Sequence, residues 1–244
     1  MFRGAGTLVN IVAIILGSII GMFSGGRLTE RTKSLITDVL GCITLLAAAD
    51  AVSALWGRAF IEQVPRGWTL LGTLFALVVG GILGSILHIQ DRLEGFGVFL
   101  RKKFGSKDER SFISGFMAAT LLFAIGPLAI LGSISDGMGN GTTALALKST
   151  LDFFASIAFA SSFGAGVLAS IIPVGIYQVS WTVIGFFLGN IMEPYQVAAM
   201  TVTGGVLLLG ISLRLLDIKQ IRVGDLLPAL FLAPVVALIA HQFI

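Results

Sequence analysis

One cysteine and two histidines stand in 244 residues, and only 12% of the chain is charged. Each scarcity removes a class of function. The lone Cys42 forms no internal disulfide and holds no metal by itself. His88 and His241 lie far apart near the ends of apolar runs, so a metal or redox centre has no support and no cofactor is expected. Serine-hydrolase chemistry has no base near the central segment. The stretch "GMGNGTT" lacks the Gly-Lys-Ser/Thr spacing of a phosphate loop. The chain is therefore not expected to be an enzyme. A net charge of +3 comes with no aromatic-interleaved basic surface, which argues against a nucleic-acid partner.

What is abundant is apolar: 56% of residues, with a mean hydropathy of +0.98. Runs of about 20 apolar residues recur, each long enough to cross a hydrocarbon core of about 30 Å as a helix. The fold class expected is all-α, a polytopic helical membrane protein with about 7–8 transmembrane helices, in contact with membrane lipid. The spans expected are 7–24, 34–55, 68–88, 111–132, 146–163, 167–191, 196–215 and 222–243. Glycines and Pro173 leave 146–191 open to being two spans or a broken helix. The first run lacks a small-residue cleavage site before "GRLTERTK" and reads as a permanent span.

The loop expected at 89–110 carries Arg92, Arg101, Lys102, Lys103, Lys107 and Arg110, so it should face the cytoplasm. Alternation then puts "GGRLTERTKS" and "LDIKQIRVGD" inside, "NIMEPYQ" outside and both termini outside. All of 1–244 is read as a single transmembrane domain, with candidate repeats 7–88 and 175–243 flanking a central segment 111–172. Comparison of 10–52 with 178–216 carries this reading, and the topology makes the repeats inverted. Glycines four apart recur at Gly17 and Gly21, Gly80 and Gly84, Gly185 and Gly189; close helix packing explains them better than ligand contact. They are also compatible with a homodimer.

Ionisable groups inside spans need a reason, because each costs about 2.5 to 3.5 kcal/mol to insert. Asp38 and Asp50 share the second span, about 3.3 turns apart. Asp38 reads as a helix-end carboxylate, whereas Asp50 is a functional candidate. Lys148 and Asp152 are spaced i, i+4 and can pair on one face, which continues through Ser149 and Ser156. Two readings stay open: a structural pair, or an Asp152 that holds a cation or proton in one state while Lys148 replaces it in another. Asp136 and Asn140 lie in "SISDGMGNGTT", where three glycines predict irregular backbone lining a cavity. Ser133 precedes them in "GPLAILGSISDG", which pairs in composition with "GAGVLASIIPVG"; two interrupted segments facing each other would mark a transport site.

"GTLVNIVAIILGSIIG", "GPLAILGSISDG", "KSTLDFFASIAFASSFGAGVLAS" and "GISLRLLDIKQIRVGDLLPALFLAP" resemble, in this order and across essentially the whole chain, the YdfK/YqgA-like family of uncharacterised bacterial integral membrane proteins, domain of unknown function 554. The resemblance implies a multi-pass protein of the bacterial cytoplasmic membrane and gives no substrate or site. The residues themselves point to a transporter of a small solute or ion, cation- or proton-coupled, with Asp152, Lys148, Asp136, Asn140, Asp50, Ser149 and Ser133 as its site. An ion channel lined by the Gly-rich central segment and a non-transporting scaffold or subunit are the alternatives.

Overall fold

The computed structural model describes residues 2–106, 108–189 and 192–243. Lys107, counted among the basic residues above, and positions 190–191 at the end of the sixth expected span lie outside them. Among the described residues the chain is helical without strands: α1 (Ala5–Gly25), α2 (Glu30–Ser53), α3 (Arg58–Ile61), α4 (Trp68–Ile86), α5 (Ile89–Phe104), α6 (Glu109–Ala124), α7 (Pro127–Met138), α8 (Thr143–Phe163), α9 (Ala165–Ala169), α10 (Ile171–Leu188), α11 (Pro194–Leu215) and α12 (Pro228–His241). Short 3-10 turns at Ala54–Trp56 and Val223–Leu226 complete it. Seven helical stretches among the described residues are long and apolar enough to cross a membrane, and α6 with α7 adds an eighth bent by 58°. The protein is an all-α, multi-pass membrane protein.

Local chemistry sets the ends. The Thr29 hydroxyl accepts the Thr32 N–H at the start of α2, and the Asp108 carboxylate accepts that of Ser111 at the start of α6. Gly126, at φ +140°, breaks α6 from α7, a backbone angle that only glycine takes without strain, and Pro127 then opens α7 at a position where a missing N–H costs nothing. Gly164 separates α8 from α9 in the same way. The break expected at Pro173 is not there: Pro173 is the third residue of α10, within the first turn, and 165–187 forms one apolar span after α8. Residues 89–104, expected as a loop, form the helix α5 with a basic last turn.

The chain divides into two compact units. The first comprises 1–40 and 93–191. In it α1 runs parallel to α8, because Gly17, Gly21 and Gly25 lie against the backbone carbonyls of Phe153, Ile157 and Ser161 in the same order. A Cβ on any of the three would collide with α8 backbone, so these glycines are the contact surface. Against α10, α1 is antiparallel: Thr7 meets Thr182, Asn10 meets Gln178 and Ile11 meets Gly175. Gly137 and Gly185 admit the backbones of α10 and α7 to each other.

The second unit comprises 41–92 and 192–244. There α4 is antiparallel to the last segment, with Gly72 on Val236, Gly80 on Ala229 and Gly84 on the Asp225 backbone. The part of α2 after Gly41 is antiparallel to α11: Gly41 packs on Leu215 and Leu216, its carbonyl accepts the Ser212 hydroxyl at 2.7 Å, and Gly205 packs on Ala48 and Val52. Leu55, Phe60, Val64, Tyr195 and small residues of α11 and α12 form a core cluster. The glycine pairs at 17/21 and 80/84, and Gly185, are thus helix-packing residues; Gly189 instead ends α10 at φ +73°.

Candidate functional site

The first unit buries a connected set of polar side chains where α1, α8 and α10 meet. α8 carries Lys148, Ser149, Asp152 and Ser156 along its buried face, α1 contributes Asn10 and α10 contributes Gln178. Asp152 is the tenth residue of the 21 in α8, so it lies about 15 Å from the start of that helix, near the middle of a hydrocarbon core about 30 Å thick. Lys148 Nζ donates to Asp152 Oδ2 one turn away. Asn10 Nδ2 donates to the same oxygen at 3.0 Å and to Gln178 Oε1 at 3.0 Å. Asn10 and Gln178 are both fully shielded, and the Lys148 and Asp152 side chains are 8% and 10% exposed. A buried pair of this kind is kept neutral by its own two charges, because an unpaired one would cost several kcal/mol.

The set is incomplete as it stands. Asn10 Oδ1, Gln178 Nε2 and the hydroxyls of Ser18, Thr120 and Ser156 are buried without a hydrogen-bond partner among the described residues. Leaving such an atom bare costs about 1 to 3 kcal/mol, and the exceptions lie in the same unit as the charged pair.

The other expected site residues separate into different roles. Asp136 is on helix α7, not in irregular backbone: the helix continues through Gly137, which packs on the Thr182 carbonyl, and stops at Gly139 in the left-handed region. The Asp136 carboxylate accepts the backbone N–H of Thr7 at 2.9 Å and of Gly4 at 3.3 Å. It thereby caps the start of α1, whose own preceding residue, Gly4, has no side chain to do so. Asn140 is exposed, its amide near Met138 Sδ at 3.7 Å, and joins nothing buried. Ser133 and Ser149 are buried, but each spends its hydroxyl on the carbonyl one turn back, Ala129 and Leu145. Asp50 is exposed and belongs to the second unit, as part of α2 beyond Gly41; Asp38 is exposed as well. The two segments expected to face each other have other main partners: α9 packs on the start of α6 through Gly166 and Phe112, whereas α7 packs on the later half of α10. Of the seven residues named, the structure brings together Asp152 and Lys148, with Ser149 beside them.

Asn10 and Gln178 belong to the site but are not among the residues that the sequence reading names. Each is the isolated carboxamide in an otherwise apolar stretch, "TLVNIVAII" and "GIYQVSW", and that isolation was the available signal.

A second polar cluster lies in the second unit. Asp225 Oδ1 accepts the Gln90 N–H at 2.8 Å, while Gln90 Oε1 accepts the Gly224 N–H at 2.8 Å, a reciprocal clasp at the start of α5. Arg222 donates through Nε to Asp225 at 2.7 Å and through Nη2 to Asp91 at 2.8 Å. Hydrogen bonding from the Arg222 guanidinium holds the Asp91 carboxyl below the usual carboxylate range. Asp225 and then Asp91 raise the Arg222 value in turn. The described residues contain no group of three His, Cys, Asp or Glu side chains suited to a metal ion.

The family model described as "Protein of unknown function (DUF554)" matches residues 5–238. The chain is 31% identical to the "Uncharacterized membrane protein YdfK" of Bacillus subtilis over 98% of its own length and 97% of that protein. It is 28% identical to the "Uncharacterized protein YqgA" of Escherichia coli over 93% and 94%. A more distant relative, 26% identical over 72% of this chain and 93% of its own, is described as "Putative manganese efflux pump MntP" of Geobacillus kaustophilus. No solved structure matches.

Proposed function

The chain belongs to the DUF554 family of membrane proteins of unknown function, and from that premise we propose that it is a transporter of a small solute or ion, with its site at Asp152, Lys148, Asn10 and Gln178. The observation that carries the reading is the charged and carboxamide set at mid-span, with unsatisfied polar atoms beside it. Ionisable groups at that depth mark pathways for ions or protons far more often than they serve stability. The relative described as an efflux pump supports the class of activity. A carrier fits better than a pore, because α1 and α8 close backbone to backbone through Gly17, Gly21 and Gly25 beyond the site.

The packing also supports inverted repeats. If α1, α2 and α4 correspond to α10, α11 and α12, then each corresponding pair packs antiparallel within one unit, the second through the part of α2 from Gly41 onward. Inverted topology requires that direction. The parallel pairing of α1 and α8 further implies that α6 and α7 cross the membrane together as one broken span. α8 is then the fifth crossing and points the same way as the first, and eight crossings leave both termini on one side, outside by the charge of the basic segments.

The test is flux in vesicles containing the purified protein, across a panel of inorganic ions, organic acids and amino acids. Wild type should move at least one of them, and Asp152→Asn and Asn10→Ala should lose that flux while Asp136→Asn keeps it. If Asp152→Asn and Asn10→Ala fold and transport as wild type does, the site is misassigned; absence of flux across the panel favours a scaffold.

A further inference from the structure

Two oxygens from different helices converge on one point at the buried site. Asp152 Oδ2 and Gln178 Oε1 each lie 3.0 Å from Asn10 Nδ2, and Lys148 Nζ reaches the same Asp152 oxygen. Nitrogen donors thus fill a position surrounded by acceptors. Two further oxygens of the set are fully buried and unbonded: Asn10 Oδ1 and the hydroxyl of Ser156, one turn along α8 from Asp152. Ser149 and Ser161 on the same helix donate to the carbonyls of Leu145 and Ala158 in the preceding turn, as serines in apolar helices do, whereas Ser156 does not.

We infer that this point is a binding site for a dehydrated monovalent alkali cation, and that the Lys148 ammonium is a tethered stand-in that holds Asp152 when the cation is absent. The inference rests on the transporter reading and names the ion class of the same site. Turning the Asn10 carboxamide by half a revolution exchanges its nitrogen for Oδ1. Asp152, Gln178 and Asn10 then present one charged and two neutral oxygens, with the unbonded Ser156 hydroxyl one turn further along α8, a hard donor set without nitrogen or sulfur. Lys148 has a second partner within reach: in the position where it bonds Asp152, its Nζ already lies 5.9 Å from the centroid of the Phe123 ring on α6, which can keep the ammonium once the carboxylate is given up.

Charge decides between one positive unit and two. With the Lys148 ammonium displaced but still inside the unit, a monovalent ion at Asp152 leaves one positive unit in excess. A divalent ion would leave two in excess, in a low-dielectric site with a single free carboxylate, since Asp136 already serves the Gly4 and Thr7 N–H groups.

The experiment is thermal unfolding of the purified full chain titrated with LiCl, NaCl or KCl against choline chloride at constant ionic strength, with MnCl2 as a further arm. At least one alkali ion should raise the unfolding temperature saturably, and choline and manganese should not. Asp152→Asn should abolish the shift. Lys148→Met should tighten the apparent Kd by about tenfold or more, because the competitor that occupies the site is gone. Ser156→Ala should weaken binding while leaving the unfolding temperature in choline no lower than that of wild type, because the hydroxyl it removes has no partner there, which keeps the inference testable if Asp152→Asn does not fold. A shift with manganese but no alkali ion, no alkali-specific shift at all, or weaker binding in Lys148→Met overturns it. Alkali binding without flux of any solute overturns the transporter reading and leaves the site; flux indifferent to alkali ions does the reverse.

Discussion

Replacing Asp136 by asparagine separates a structural carboxylate from a transporting one. The native carboxylate accepts two backbone N–H groups at the start of α1, from Thr7 at 2.9 Å and Gly4 at 3.3 Å, and is 2% exposed. Hydrogen bonds to a charged acceptor contribute about 1.5 to 3 kcal/mol and neutral ones about 0.5 to 1.5, so losing the charge at both costs about 2 kcal/mol in all. Favourable interaction with the helix dipole is lost with the same charge and is contained in that figure. For a chain of this size, 1 kcal/mol corresponds to about 2–4 °C, so Asp136→Asn should unfold about 4–8 °C below wild type. Asp136→Ala should fall further, because the Thr7 N–H is then buried bare at about 1 to 3 kcal/mol and the half-buried Gly4 N–H loses its acceptor as well. The assay is thermal unfolding in a fixed detergent, paired with flux in vesicles. An unfolding temperature within about 1 °C of wild type would refute the capping argument. A loss of flux without a loss of stability would return Asp136 to the ion pathway.

Three further outcomes are expected. Gly21→Val should destabilise the first unit by about 3 kcal/mol or more, since its new atoms meet the Ile157 carbonyl and the Ala160 Cβ instead of a movable side chain; chemical denaturation of the purified variant measures it. Thr7→Cys with Thr182→Cys, in a Cys42→Ser background, should form a disulfide under mild oxidation, because the two hydroxyl oxygens are 2.8 Å apart. A gel-shift assay with a thiol reagent reads the bond, and failure to cross-link would refute the α1–α10 register. For Asp91, the folded carboxyl is held below the usual range by Arg222, so its contribution is complete above the unfolded value of about 3.9 and is lost as pH falls through the lowered folded value. The difference in unfolding temperature between wild type and Asp91→Asn should therefore be present at neutral pH and close below about pH 4; a gap unchanged at low pH would contradict it.

Much of the fold was legible because hydrocarbon imposes a simple rule on sequence. A backbone without water must bond to itself, so apolar runs of sufficient length become helices whatever their neighbours. The runs at 7–24, 68–88, 146–163 and 196–215 differ from the observed helices by only a few residues. Breaks were harder to place. Glycine and proline show where a helix can stop, but Gly137 stays helical because an α10 carbonyl needs the space of its missing side chain, and Pro173 stays helical because it falls in a first turn. The basic segment at 89–104 reads as a loop in the sequence because its charges mask the helical spacing of its apolar residues.

The site was legible only where its partners are close in the chain. Lys148 and Asp152 lie one helical turn apart, and that spacing alone predicts their pairing. Asp136 and Asp152 look alike as letters, two carboxylates in apolar surroundings. Asp136 meets the start of a helix 129 residues away, whereas Asp152 meets two carboxamides 142 and 26 residues distant, directly and through Asn10. The sequence determined an all-α membrane protein, its spans and one buried ion pair, because length, hydropathy and local spacing act along the chain. Tertiary structure alone decided which carboxylate is a cap and which faces unsatisfied oxygens, because the cost of a buried charge is set by whatever other helix happens to lie against it.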